Sequence, residues 1–594
     1  MVRVTVDVPA LADQGRELDY LVPERLRAGV GVGTIVRVPL HGRRVAGWVV
    51  ATDVTPPDGV RLAPLTAVTG AGPAPELVEL TEWAAWRWAG RRTALLRAAS
   101  PPGAVRELPP AATHGPPPIR PGPWAGAVRD GIAAERAVLR VGPATDPLDV
   151  VREVAAQRAT LVVTPSVGLS RALSRGLRRL DIPVATLPED WARAAAGGRT
   201  VVGARGAAWG PAPRAGAVVV VDAHDAGLVE ERAPSWSAWV VAAERARRLA
   251  IPCLLLSPCP TLEQLAWGQL VAPEREVERR GWARLDVHDR RESDPRAGLL
   301  GERLVGTLRA ATPSARVVVV LNRKGRARLL ACRACGAMTV CEHCHGAMEQ
   351  SAAGDSALRC RRCGRVRAAI CQSCGSVALK ALRSGVAKVR DELEHLALCP
   401  VGAVTAEEAG GLPSASILIG TEAVLHRVET GTAGRDGVRV AVVVFLDFDS
   451  ELLAPRFRAA EDALALLARA SRILGGRDGG RIVVQTRLPD HPVLAAAQRA
   501  DPTLVSTVDA AVRHELNLPP VSALAEISGD PARIEALVAR LAGRTGIEVI
   551  GPTDGVSLVR APDHAILCAA LAHAGRPAGQ PGTRLRVDVD PLRA

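Results

Sequence analysis

The chain has 594 residues, 48% of them hydrophobic and 23% charged, with a formal net charge of +13. That length exceeds what one hydrophobic core organises, so several domains are expected, and the excess positive charge points to a polyanionic partner. The opening residues carry acids and a proline where a secretory signal needs an unbroken apolar core, and no apolar run reaches the roughly 18 residues of a membrane span. The expectation is a cytoplasmic protein without membrane contact.

Residues 1–98 read as a small β-rich unit. Alternating apolar segments, VRVTVDV, GTIVRVPL and RVAGWVVA, give strands, and PELVELTEWAAWRWAGRRTALLRAA gives a helical close. Residues 99–123 follow as a linker, because nine prolines fall in the 24 residues from Ser100 to Pro123. From residue 124 to 262 short buried-type strands (TLVVTPS, TVVGARG, AVVVVDAHD, PCLLLSPCP) alternate with helical stretches, the rhythm of a parallel α/β sheet. A second α/β series occupies 263–330 and 376–490, with ARVVVVLNRKG, SASILIGTEAV, RVAVVVFLDFDS and GRIVVQTRL. An insert at 331–375 interrupts it after its first strand, and residues 491–594 read as a compact α/β appendage.

The insert carries eight of the twelve cysteines as four Cys-x-x-Cys knuckles: Cys332 and Cys335, Cys341 and Cys344, Cys360 and Cys363, Cys371 and Cys374. In a reducing compartment such pairs favour metal over disulfides, and four knuckles supply two complete tetrahedral S₄ sites. Two Zn²⁺ per chain are therefore expected, each structural because sulfur closes every coordination position. Spacing alone leaves open whether sequential knuckles or nested pairs share an ion. His343 and His345 flank Cys344 and are read as surface or outer groups. Residues 321–375 hold ten Arg or Lys against three acids, so Arg361, Arg362 and Arg365 are candidate phosphate contacts.

Two α/β units on a basic chain suggest a nucleic-acid motor, which needs a Gly-Lys-Ser/Thr phosphate loop. None exists; the three lysines are Lys324, Lys380 and Lys388.

Several stretches resemble the PriA family of replication-restart primosome proteins. NRKGRARLLACRACG (322–336) resembles the strand end that leads into the family's first knuckle. ILIGTEAVLHRV (417–428) resembles a motif of the second lobe, with Glu422 where Gln is usual. FDSELLAPRFRAAEDALALLARA (448–470) and RIVVQT (481–486) resemble the segments that follow. The resemblance implies a multidomain α/β fold: a β-rich N-terminal DNA-binding domain, two RecA-like helicase lobes, a zinc-ribbon-like insert and an α/β C-terminal domain. It also implies nested metal pairing: Cys332, Cys335, Cys371 and Cys374 on one ion, and Cys341, Cys344, Cys360 and Cys363 on the other. Leu18, Asp19, Tyr20 and Gly42 match the family's pocket for a 3′ DNA end, where Tyr20 would stack a base.

The same correspondence locates losses. Where the family has its phosphate loop the chain reads LRVGPATDPLDVV (139–151), with Asp146 and Pro147 near the phosphate position. The Asp-Glu-Glu-His box is Asp222, Ala223, His224 and Asp225, so the water-activating Glu is Ala223. Ser-Ala-Thr becomes Ser257, Pro258 and Cys259, and the last arginine motif dissolves into SRILGGRDGG (471–480). Trp236 and Trp239 fall in the family's aromatic-rich loop and are read as buried or DNA-stacking rings. The expectation is a nucleoid-associated pseudo-helicase with a vestigial ATP site and no catalytic residues. It would bind forked or branched DNA and work with helicase-loading primosome proteins and single-stranded DNA-binding protein. An active ATP-dependent 3′-to-5′ helicase and a zinc-ribbon scaffold for proteins are the alternatives.

Overall fold

A computed structural model describes residues 1–8, 16–55, 61–112, 120–291, 299–312, 314–322, 330–350, 356–360, 363–381, 386–404, 411–432, 439–553, 555–577 and 583–592. Among them no helix is long and apolar enough to cross a membrane.

The N-terminal sheet has five antiparallel strands, in the order Leu18–Tyr20, Val2–Val6, Arg43–Thr52, Ile35–Leu40, Ala67–Gly70. Alternation sends Val2, Val4, Val6, Val36, Val38 and Val49 to one face, where they form a closed core. Helices Pro75–Arg87 and Arg92–Ala99 cover part of the other face and join the large core shared with the next sheet and the C-terminal unit. The proline-rich stretch connects two units but is also laid onto both: Trp48 Nε1 donates to Ser100 Oγ (2.8 Å), Ala71 N to Val105 O (2.8 Å) and Ala112 N to Gly197 O (3.1 Å).

Seven parallel strands form the second sheet, with Arg136–Arg140, Cys253–Ser257, Ala217–Val220 and Thr160–Val163 at its centre. Six parallel strands form the third, centred on Arg481–Thr486, Arg439–Phe445, Ala315–Val320 and Ile417–Gly420. Val218, Val219 and Val220 have no exposed surface, as expected of strands covered on both faces. Helix starts are marked chemically: Ser166 Oγ accepts from Leu169 N, and Thr261 with Gln264 makes a capping box.

Three boundaries move relative to the sequence reading. Strand Gln269–Val271 pairs with Ala137–Leu139, so the first parallel unit runs past residue 262; its half-exposed residues gave no apolar run to signal it. Strand Arg284–Asp289 opens the second parallel sheet, so the insert follows that sheet's second strand in chain order rather than its first. Helices Pro492–Arg499 and Thr503–Glu515 pack into the second parallel unit's core through Val493, Leu494, Ala497 and Val505. The C-terminal appendage proper is a βαββαβ unit from Ala523–Gly529 to Leu585–Val589, with strand order Glu548–Thr553, Val556–Ala561, Ala523–Gly529, Leu585–Val589.

Candidate functional site

Three places hold the residues singled out by sequence: the cysteine insert, the cleft between the parallel sheets, and the N-terminal sheet.

In the insert one turn is built four times. The first cysteine's carbonyl accepts from the residue four positions on: Gly336 N (3.0 Å), His345 N (2.9 Å), Gly364 N (2.9 Å) and Gly375 N (2.8 Å). All four of those residues have positive φ. His345 thus stands where the other turns use glycine. The turns bring Cys332, Cys335, Cys371 and Cys374 into one cluster and Cys341, Cys344, Cys360 and Cys363 into another, with all sulfurs of a cluster within 4.8 Å of one another. This is the nested arrangement. The shorter separations, Cys332 to Cys374 (3.5 Å) and Cys344 to Cys360 (3.5 Å), are well beyond a disulfide of about 2.05 Å. They approach the edge of about 3.8 Å that follows from metal–sulfur bonds of about 2.3 Å in a tetrahedral site. The residues present therefore fit two tetrahedral thiolate sites. His343 turns away from them toward Glu515 (Nδ1 to Oε1 3.6 Å). Arg365 is exposed beside the third knuckle; Arg361 and Arg362 lie outside the described residues.

The cleft is a space of about 1830 Å³ that reaches the C-terminal unit and the helix Pro75–Arg87. Among the described residues, arginines and carboxylates line it in equal number. Asp222, with φ 50° just past the strand Ala217–Val220, receives both terminal nitrogens of Arg472 (2.5 and 2.6 Å), and the Nε of Arg472 donates to Pro143 O (2.9 Å). Burial pushes the Asp222 carboxyl up, and the Arg472 pair more than reverses this, leaving it below the ordinary carboxylate range. Asp225 pairs with Arg469 in the same way and is likewise held low. His224 is pushed down by burial, against the pull of Asp222 and Asp225, so the neutral imidazole faces Ser257 Oγ (Nδ1 at 3.0 Å). Ala223 is 3% exposed, and its carbonyl accepts from Gln264 Nε2 (2.7 Å).

In the loop corresponding to 139–151 several backbone amides already have acceptors. Ala144 N donates to Gly281 O (3.2 Å), Thr145 N to Gly142 O (2.9 Å), Leu148 N to Asp146 Oδ1 (2.9 Å) and Asp149 N to Asp146 O (3.0 Å); Pro147 has no N–H to give. A phosphate site at a helix N-terminus needs free amides. Here the Asp146 carboxylate caps the helix Pro147–Ala155 itself. Gly142 lies so close to Gly281 that a Cβ on either would stand 3.0 Å or less from the other's Cα. Further pairs tie the two parallel units. Arg458 reaches Glu263 (2.9 Å), the fully buried Arg513 reaches Glu263 (3.1 Å) and Glu461 (2.7 Å), and Leu262 N donates to Glu461 Oε1 (2.8 Å). Sequence reading missed Arg469 and Arg472. Their spacing of three on the helix Ala459–Leu474, which puts both on one face, was the available signal. Trp236 is buried edge-on to Trp209, and Trp239 lies edge-on to Trp267 on the cleft wall.

On the N-terminal sheet, Asp19 is bound by Arg3 (Oδ1 to Nε 2.9 Å). Tyr20 is 4% exposed, its ring is part of the core, and its hydroxyl donates to Pro39 O (3.3 Å). The strand's alternation turns the Tyr20 ring inward, into the core of the sheet rather than onto its surface. Gly42 and His41 form a two-residue hairpin turn closed by the Leu40–Arg43 pair, with φ 75° and 47°. Such a turn asks for positive φ at both positions, so its geometry alone accounts for Gly42.

Residues 3–101, this sheet with its two helices, match the family model described as the 3′ DNA-binding domain of PriA. Chains of Mycobacterium tuberculosis and Mycobacterium bovis described as probable replication restart protein PriA are each 30% identical over 623 residues, spanning 97% of this chain and 92% of theirs. The chain belongs to the PriA family. A Bacillus subtilis replication restart protein PriA is 27% identical over 56% of this chain and 43% of its own length. The membership expected from the knuckles and the 417–486 motifs is thus borne out across nearly the whole chain.

Proposed function

We propose that this chain is a replication restart protein that binds stalled or branched forks and promotes loading of the replicative helicase without a motor of its own. The two parallel sheets correspond in this reading to RecA-like lobes, the insert to a zinc-ribbon-like module holding two structural Zn²⁺, and residues 3–101 to a DNA-binding domain. Its partners are forked DNA, helicase-loading primosome proteins and single-stranded DNA-binding protein.

The observation that carries the no-motor reading is the way the cleft satisfies itself. Phosphoryl transfer relies on positioned cations and amides around the phosphates. Here Arg472 is held by Asp222 and Pro143 O, and the amides of Ala144, Thr145, Leu148 and Asp149 are bonded to Gly281, Gly142 and Asp146. An incoming nucleotide would have to displace all of these and would meet Asp146. The loss of the catalytic carboxylate at Ala223 points the same way.

The test measures fork-DNA binding and phosphate release by purified chain with and without ATP. Unchanged fork affinity and no DNA-stimulated turnover support the proposal. The alternative of an active 3′-to-5′ helicase is favoured by the two parallel sheets facing one cleft; turnover that vanishes in Asp222→Asn would establish it. A scaffold for proteins alone would bind no fork.

A further inference from the structure

The N-terminal sheet changes character along one face. Ile35 pairs with Trp48, Arg37 with Ala46 and Pro39 with Arg44 across the hairpin, and directly paired or alternate residues share a face. At the Ile35–Trp48 end that face is dry: both side chains pack with Val78 and Leu96 of the covering helices. Two residues along each strand the cover ends, and Arg37 and Arg44 stand exposed on the same face as diagonal neighbours. Arg43 is exposed beside the turn.

These arginines differ from others of the unit in what they face. Arg3 pairs with Asp19, Arg92 with Glu17, Arg97 with Asp7 and Arg87 with Asp590. Arg37, Arg43 and Arg44 have no carboxylate partner among the described residues. The sequence explains why: residues 25–52 contain five arginines and no Asp or Glu. The Gly42 turn adds no bulk at the end of the strip, since even a Cβ there would meet nothing within 4 Å.

We infer that Arg37 and Arg44, with Arg43 at the turn, form a strip that grips successive phosphates along one nucleic-acid strand, outside the segment Leu18–Tyr20. The inference rests on the reading of residues 3–101 as DNA-binding, and it names the contacts that reading leaves unassigned. Diagonal cross-strand neighbours sit about 7–8 Å apart, and two long guanidinium side chains from that spacing can reach neighbouring phosphates on one strand. The contact carries no base information, so it serves any sequence.

The experiment is a salt titration of fork binding by the full chain, using a fluorescent synthetic fork, with wild type, Arg37→Ala/Arg44→Ala, Arg37→Lys/Arg44→Lys and Arg97→Ala. Two lost phosphate contacts should flatten the log–log salt slope by about 1.4–1.8. The lysine pair should restore the slope, and Arg97→Ala, whose arginine already has Asp7, should leave it unchanged. Thermal melting checks that the exposed substitutions leave the fold intact. Wild-type fork binding with an unchanged slope in the alanine pair overturns the strip and leaves the DNA reading standing. Absence of salt-dependent fork binding in wild type overturns both.

Discussion

The cleft between the parallel sheets and the hairpin of the N-terminal sheet are both rich in arginine, and they use it in opposite ways. In the cleft the arginines that cross between units have carboxylates: Arg472 has Asp222, Arg469 has Asp225, and Arg458 has Glu263. On the hairpin Arg37 and Arg44 face outward from a segment that contains no acid. A guanidinium that is paired and buried supplies cohesion. One left exposed without a partner is free to neutralise a phosphate. The same side chain thus marks glue in one region and a binding surface in the other, and the neighbouring acids decide which.

The metal module bounds the scale of effects, because eight thiolates gathered in two clusters need cations to hold them together. Removing metal with a chelator, or replacing Cys360 with Ser, should unfold the insert, with a loss on the order of 10 kcal/mol or more. Native mass spectrometry should show two Zn²⁺ in the untreated chain and hydrogen exchange should show loss of protection at 330–381 after stripping. A single ion, or an iron–sulfur chromophore, would contradict the assignment.

Breaking the cleft comes next. Arg472→Ala leaves the buried Asp222 without its cation and should cost about 3–5 kcal/mol in denaturant unfolding. Adding Asp222→Asn should return part of that loss, since the stranded charge is gone. A cost below about 1 kcal/mol for Arg472→Ala would mean the pair is solvated and the cleft loose. The corresponding change on the hairpin, Arg44→Ala, should leave stability within about 0.5 kcal/mol, as surface substitutions do.

Acid should separate the same two regions. Asp222 and Asp225 are both held below the ordinary carboxylate value by their partners, despite burial. Depressed carboxylates contribute stability that is complete above the unfolded value of about 4 and is lost as pH falls through the folded value. Unfolding of the parallel units should therefore steepen below about pH 4, and Asp222→Asn should blunt that dependence. An unchanged acid profile would remove these pairs as its source. A local effect is expected at the turn, where Gly42→Ala at φ 75° should cost about 1 kcal/mol.

What the sequence made legible follows range. The cysteine knuckles are local and were readable as two four-sulfur sets, but their nesting depends on how the outer turns fold back, which only the family resemblance supplied. Valine runs such as AVVVV announced the central strands because strands buried on both faces are apolar throughout. Gln269–Val271 and Val401–Val404 are short and partly exposed edge strands, and carried no such run. The pairing of Asp222 with Arg472 joins positions 250 apart and has no local trace. Sequence could show only which residues stand at these places, Ala223 and Asp146 among them; how the remaining groups close on one another needed the fold. Tyr20 shows how register decides a side chain's place. A lone tyrosine on an alternating strand reads equally as core or as platform, and the register puts it in the core.

The central claim is that a cleft which satisfies its own charges does not turn over nucleotide. The direct measurement is fork-stimulated ATP hydrolysis by the purified chain, followed through chromatography and repeated with Ala223→Glu and Asp222→Asn. The account predicts no phosphate release above background in wild type and none in Ala223→Glu, because the catalytic groups act as a unit and restoring one does not revive the rest. Hydrolysis that co-elutes with the chain and disappears in Asp222→Asn would contradict it.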